Sequence, residues 1–128
     1  MNALLDTHAL IWWLFEDPKL SRTAYAAIAD PANQIFVSAA SVCEIAIKLS
    51  MNKLPLPSDL DQDKFATLAG TGFHALPVTL QHAYAVRHLP WHHRDPFDRL
   101  LVAQSQLEGM KLITNDERLR HYEVDRLW

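Results

Sequence analysis

Short apolar runs that read as β-strands recur along this chain, and four carboxylates each sit where such a run ends or a helix-type segment begins. LLD (Leu4 to Asp6) closes an apolar start, and IFV (Ile35 to Val37) leads into SAASVCEIAIK, which carries Glu44. DPFDRLLVAQ opens a later helix with Asp98 near its start, and LITND places Asp116 just beyond Leu112 and Ile113. Strands alternating with helices predict an α/β fold with a central parallel sheet covered on both faces. In open sheets of that kind, strand carboxyl ends and helix N-termini share one edge, which is where ligands bind. Asp6, Glu44, Asp98 and Asp116 are therefore expected to meet along that edge.

The full set of expected elements follows from local patterning. We place strands at about Ala3 to Asp6, Gln34 to Val37, Phe73 to Val78 (interrupted near its end by Pro77) and Leu112 to Thr114, with a final strand-like stretch at Tyr122 to Val124. Helices are expected over Ala9 to Phe15, Ser21 to Asp30, from Ser38 or Ser41 to Met51, Asp61 to Ala69, Leu80 to Arg87, and Pro96 to near Gly109, with a helical turn at Glu117 to His121. Ser21 suits an N-cap, Pro96 suits the first helical position, and Pro55 and Pro57 end the third helix because they donate no backbone hydrogen bond. Phe97, Leu100, Leu101 and Leu107 recur at helical spacing and are expected to face the core.

Composition sets the frame for these elements. The chain of 128 residues is 49% hydrophobic and 21% charged, which suits one globular domain spanning 1–128 rather than a disordered segment. Its longest apolar run, Ala9 to Phe15, falls far short of the roughly 18 residues of a membrane span. No basic residue precedes Asp6, so no secretory leader is expected, and the lone Cys43 cannot form an intrachain disulfide. A reducing cytoplasm is the expected compartment, with Cys43 as a small buried apolar residue. Net charge is −3, which taken whole disfavours a polyphosphate partner. Setting aside the four edge acids, however, leaves 11 of the 15 acids against 12 Lys and Arg, so a cation-loaded protein is no longer acidic.

Each acid also has a local explanation. Ser41 and Glu44 match a capping box, Asp95 fits an N-cap before Pro96 with Asp98 in the first turn, and Asp116 fits a cap on the Glu117 to His121 turn. Asp6 reads equally as ligand or cap, with Thr7 competing for the cap. Independent caps have no reason to share a sheet edge, whereas a site for hard cations such as Mg²⁺ needs several carboxylates there. In a two-metal centre, ions about 3.5–4 Å apart clamp the attacking and leaving oxygens of a phosphoryl displacement. Asp6, Glu44 and Asp98 are the central ligands in this reading, and Asp116 completes the second ion or orients water. Asp95 lies further out, and Thr7, Ser38 and Thr114 hydrogen-bond ligands or water. Helix N-termini are expected to keep Glu44 and Asp98 ionised against their mutual repulsion.

These motifs resemble those of PIN-domain ribonucleases, specifically the VapC-like toxins of bacterial toxin–antitoxin pairs. LLDTHALIWWL is similar to that family's opening, VSAASVCEIAIK to its second motif, HHRDPFDRLLVAQ to its third and LITND to its fourth, so that the likeness spans nearly the whole chain. The resemblance implies that Asp6, Glu44, Asp98 and Asp116 are the metal-binding and catalytic acids, with Asp95 less general among PIN domains. It further implies a three-layer α/β/α fold with strand order 3-2-1-4-5, and dependence on Mg²⁺ or Mn²⁺. Cleavage of tRNA or rRNA to 5′-phosphate and 3′-hydroxyl ends, homodimers and inhibition by a cognate antitoxin are implied as well.

Other residues are assigned more plainly. Seven histidines include no HExxH, and one cysteine builds no Cys-rich zinc site. His92, His93 and Arg94 read as a solvated loop able to meet phosphate. Lys48 reads as an i,i+4 partner of Glu44 ahead of a substrate contact, and Arg99 as either structural or substrate-facing. Trp12, Trp13, Trp91 and Trp128 are divided between core packing and a partner interface. Absence of GxGxxG and GxxxxGK[ST] leaves dinucleotide and P-loop sites unsupported. Two rival readings remain at this stage. A Mg²⁺-binding phosphoacceptor domain would want an acidic pair at the first strand, where Asp6 stands alone, and a non-catalytic interaction domain would use its acids only as caps.

Overall fold

A computed structural model describes residues 1–54 and 72–128. Strand β1 (Asn2–Leu5) lies at the centre of the sheet, paired in parallel with β2 (Gln34–Ser38) on one side and β4 (Lys111–Ile113) on the other. The short β3 (His74–Leu76) adds to β2 and β5 (Arg126–Leu127) adds to β4, giving five parallel strands in the order β3-β2-β1-β4-β5. That is the predicted order. Ala3, Leu4 and Leu5 are fully buried, as a central strand covered on both faces requires. Their side chains alternate between two cores: Ala3 and Leu5 join Leu10, Ile28, Val37 and Ile45, whereas Leu4 joins Leu101, Val102, Leu112 and Leu119.

Three helices, α1 (Thr7–Leu14), α2 (Arg22–Ala29) and α3 (Ala39–Ser50), supply the first core, while α5 (Pro96–Glu108) supplies the second. The short α4 (Leu80–Ala85) runs into a 3₁₀ turn at Val86–His88. Ser21 caps α2 by accepting from Ala24 N–H, as its type and place predict. Asp95 caps α5 by accepting from Phe97 and Asp98 N–H, Pro96 fills the first position, and Gly109 ends the helix at φ +64°, a conformation glycine adopts without strain. No helix among the described residues is long and apolar enough to cross a membrane.

Several boundaries differ from expectation, each for a physical reason. Helix α1 starts at Thr7 rather than Ala9 because Asp6 caps it directly off the strand. Helix α3 likewise follows β2 without a linker, so Ser38 is its N-cap and Glu44 sits past the first turn; the Ser41 and Glu44 capping box does not form. β3 is shorter than predicted, since Pro77 has no N–H to extend the ladder. The last strand is Arg126–Leu127 rather than Tyr122 to Val124, because Tyr122 is buried in the second core with its hydroxyl donating to Pro90 C=O at 2.8 Å. Leu107 is 53% exposed, and α5 buries Leu101, Val102, Ala103, Gln104 and Ser105 instead. Cys43 is exposed, not buried. The expected helix at Asp61 to Ala69 lies outside the described residues.

Candidate metal centre

The carboxyl ends of β1, β2 and β4 deliver three chain segments to one edge, and α5 brings a fourth. Asp6 leaves β1 directly as the cap of α1, with Oδ1 accepting from Ala9 N–H at 2.7 Å. Glu44 projects from α3, Asp98 from the first turn of α5, and Asp116 from the turn after β4, where it accepts from Arg118 N–H. Glu44, Asp95 and Asp98 each offer an oxygen within 4.8 Å of one another, and so do Asp98, Asp116 and the imidazole of His93. Asp98 belongs to both groups and is the centre of the cluster. Its charge also senses Asp6, as Asp6 senses Asp116. Glu44, Asp98 and Asp116 are thus linked through Asp98, whereas Asp6 lies in neither close group and is coupled to Asp98 and Asp116 through charge alone.

Burial makes this an unfavourable place for unpaired negative charge. Desolvation raises the Asp6 carboxyl above the usual range, against hydrogen bonds from Thr114 and Ala9 that favour its ionised form. Desolvation, then repulsion from Asp95, Glu44 and Asp6, lifts Asp98 to about 6 despite the opposing influence of His93. The helix N-terminus does not keep Asp98 in the ordinary carboxylate range, contrary to expectation; burial and like charge outweigh it. Asp116 behaves differently. Burial pushes it up, but two side-chain contacts from Arg118, at 3.0 and 2.9 Å, outweigh that and hold it below its ordinary value.

The supporting residues divide into those that serve the acids and those that serve the fold. Thr7 Oγ1 lies 2.9 Å from Glu44 Oε1 and 3.1 Å from Ser41 Oγ. A carboxylate only accepts, so the threonine proton goes to Glu44 and Ser41 donates to Thr7. Lys48 Nζ sits 2.7 Å from Glu44 Oε2, the i,i+4 pair read from the sequence. Thr114 hydrogen-bonds Asp6 and accepts from Asp116 N–H at 3.0 Å, tying two acids to one hydroxyl. Ser38 serves elsewhere: besides capping α3, its hydroxyl donates to Gln104 Oε1, so it is corrected from ligand support to scaffold.

Arg99 also needs correction as a substrate-facing candidate. It is 2% exposed, and its guanidinium donates to the carbonyls of Val86, Leu89 and Pro90, which turn inward because the intervening loop has no sheet or helix partner. Arg94 remains exposed at the mouth of the site. Sequence reasoning missed two participants. His93, read as a solvated loop residue, is 5% exposed; its Nε2 lies 2.8 Å from Asp98 Oδ2 and 3.4 Å from Asp116 Oδ2. These are charge contacts without hydrogen-bond alignment, since Nε2 has no properly directed partner. Its Nδ1 accepts from Asp95 N–H at 3.2 Å, which places the proton of the neutral ring on Nε2. His93 Nε2 thus faces Asp98 and Asp116 as the nitrogen member of that group. Arg118 is the second, and only its spacing from Asp116 within a turn signals the pair.

Clustered carboxylates presenting oxygen, with Asp6 and Asp98 disfavoured in their charged forms, fit a hard divalent cation. A five-stranded parallel sheet in this order, with acids gathered where β1, β2 and β4 end, is the arrangement of a PIN domain. The chain belongs to the PIN domain family, whose model matches residues 3–125. It is 31% identical to Ribonuclease VapC22 of Mycobacterium tuberculosis over 132 aligned positions, covering 98% of this chain and 95% of that protein. Its fold is similar to a chain in the structure of VapBC2 from Rickettsia felis bound to a DNA fragment from their promoter, with TM-score 0.70 and 13% identity over 100% of both chains. A chain in a toxin–antitoxin complex from Klebsiella pneumoniae is similar at TM-score 0.62 and 21% identity, covering 94% of this chain and 92% of that one.

Proposed function

We propose that this PIN domain is a metal-dependent endoribonuclease and the toxin half of a toxin–antitoxin pair. The observation that carries the reading is the position of Asp98, shared between the Glu44 and Asp95 oxygens on one side and Asp116 with His93 on the other. Membership of the family that includes a named ribonuclease supports the reaction, and the fold likeness to chains of toxin–antitoxin complexes supports the partner. Asp6, Glu44, Asp98 and Asp116 are the residues that hold Mg²⁺ or Mn²⁺, with Asp95 beside Glu44 and Asp98. When bound, a divalent ion supplies positive charge for the phosphate oxygens and makes hydroxide available near neutral pH.

The remaining work falls to the protein's own groups. Thr7 and Lys48 fix the Glu44 oxygens, Thr114 fixes Asp6, and the Asp95 cap fixes the turn that carries Asp98. Arg94, exposed at the rim, faces the RNA backbone. Water attacks phosphorus, the P–O3′ bond breaks, and the products carry 5′-phosphate and 3′-hydroxyl ends. Substrates are cytoplasmic tRNA or rRNA, the protein acts as a homodimer, and a cognate antitoxin restrains it. Incubating the purified protein with total RNA and Mn²⁺, then sequencing the new ends, tests this directly. Cleavage that EDTA and Glu44→Gln both abolish is the expected result; phosphorylation of Asp6 by acetyl phosphate without any RNA cleavage would replace the reading with that of a phosphoacceptor domain.

A further inference from the structure

Trp91 is 77% exposed, an unusual setting for the largest apolar side chain, and it sits on the irregular loop that leads to the acids. One face of its indole is covered: the Arg99 guanidinium lies 3.9 Å from the ring centroid. That cation is itself immobilised by the carbonyls of Val86, Leu89 and Pro90, so the indole rests on a fixed support and keeps its other face open. A cavity of about 400 Å³ lies here, lined by Trp91, His92, Arg94 and Arg118 together with His93 and Asp95. The last two are members of the acid centre, which makes the cavity continuous with it. An aromatic face, two arginines and adjacency to a phosphodiester-cleaving centre are the chemistry that recognises a nucleobase with its flanking phosphates.

We propose that Trp91 stacks an unpaired nucleobase beside the scissile phosphodiester, with Arg94 and Arg118 meeting the backbone on either side. The proposal rests on the ribonuclease reading above and deepens it. Bases in a duplex are already stacked, so the site selects single strands and loops over helices. His92, packed against His121 and Tyr122 at ring separations of 5.3 and 5.2 Å, forms a firm wall to the cavity. Stacking tolerates every base, so this contact sets strandedness and register rather than sequence.

The test uses a short fluorescein-labelled single-stranded RNA of mixed sequence, the same strand annealed to its complement, and a strand bearing abasic sites. Binding is read by anisotropy in EDTA, and cleavage with Mn²⁺ is read in parallel. Trp91→Leu is expected to weaken single-strand binding about tenfold, while Trp91→Phe keeps it within about twofold. Abasic sites should weaken binding to the natural protein similarly and leave Trp91→Leu unaffected. Leucine still covers Arg99, and thermal melting verifies that the variant is folded. Undiminished RNA binding and cleavage by Trp91→Leu would overturn the base site and leave the ribonuclease reading standing. Loss of antitoxin binding alone, with RNA binding intact, would overturn it in favour of a protein-docking role. A natural protein that neither binds nor cleaves any RNA would remove both.

Discussion

Two clusters of polar side chains gather around helices α3, α4 and α5, and the clusters are built on opposite principles. In the first, Ser38 donates to Gln104, Gln104 Nε2 donates to Pro77 C=O at 3.2 Å, and His82 links Thr79 N–H on one ring nitrogen to Glu108 on the other. Donor meets acceptor along the whole chain. In the second, Glu44, Asp95 and Asp98 bring acceptor to acceptor, and burial leaves Asp98 titrating at about 6. A satisfied network of this kind holds helices in place, whereas a buried cluster of one charge is stable only with something else in it. The pair of clusters therefore separates scaffold from site along the same helix, α5.

The sharpest way to break that distinction is Asp98→Asn. It keeps side-chain size but removes the charge shared by both groups, so cleavage should fall by at least about 100-fold, beyond the usual loss from an outer support residue. Its effect on the metal-free fold should run the other way. Asp98 moves from 3.8 to about 6, so the folded protein binds this proton more tightly than the unfolded chain does. The contribution of this group is then most favourable below pH about 4, declines as pH rises through 6, and carries its full penalty above it, at most about 3 kcal/mol. Melting curves of the asparagine variant should lose that slope and lie above those of the natural protein at pH 7. Equal Mn²⁺-dependent cleavage by both proteins would refute the role assigned to Asp98.

Cation addition probes the same contrast without a mutation. An ion present at about 100 times its dissociation constant stabilises by about 2.7 kcal/mol, a rise of roughly 10 °C in Tm for a domain of this size. Differential scanning fluorimetry with Mg²⁺ or Mn²⁺ should show that rise in the natural protein and lose most of it in Asp98→Asn. The satisfied cluster should respond in reverse. Gln104→Ala leaves Ser38 and the Pro77 carbonyl without their partner, lowering stability by about 1–3 kcal/mol while preserving the cation-induced rise. A Gln104→Ala protein that no longer responds to Mn²⁺ would join the two clusters into one functional unit.

What could be read from sequence follows the range over which each feature is determined. Asp6, Asp95, Asp98 and Asp116 were readable because caps are local: each lies within a few residues of the helix or turn it starts. Periodicity predicted strands and helices but not their order across the sheet, which came from resemblance to a family. The start of α3 was left open between Ser38 and Ser41 because two serines compete for the cap, and only the length of β2 decides for Ser38. His93 was unreadable for a different reason. Its loop is closed from a distant segment, with Tyr122 Oη accepting from His93 N–H at 3.0 Å, and no pattern near the histidine announces that burial. Arg99 is the same case, since its partners are loop carbonyls whose direction depends on the tertiary path.

Arg118 offers the smallest and most discriminating variation on the comparison, because it already supplies to Asp116 the cation that Asp98 lacks. The arginine is largely exposed, so solvent screening limits the contribution of the pair to folding, and Arg118→Ala should change stability at pH 7 by less than about 1 kcal/mol. The pH dependence is more telling. Asp116 is held below its ordinary value of 3.8, so the stability it contributes is present above that value and is lost as pH falls through the lower folded one. Removing the guanidinium should erase this acid-side dependence and bring Asp116 closer to the behaviour of Asp98. Titrating the Asp116 carboxyl by NMR in both proteins measures the change: its pKa should rise in Arg118→Ala. An unchanged value would mean that His93, rather than Arg118, neutralises this edge of the cluster.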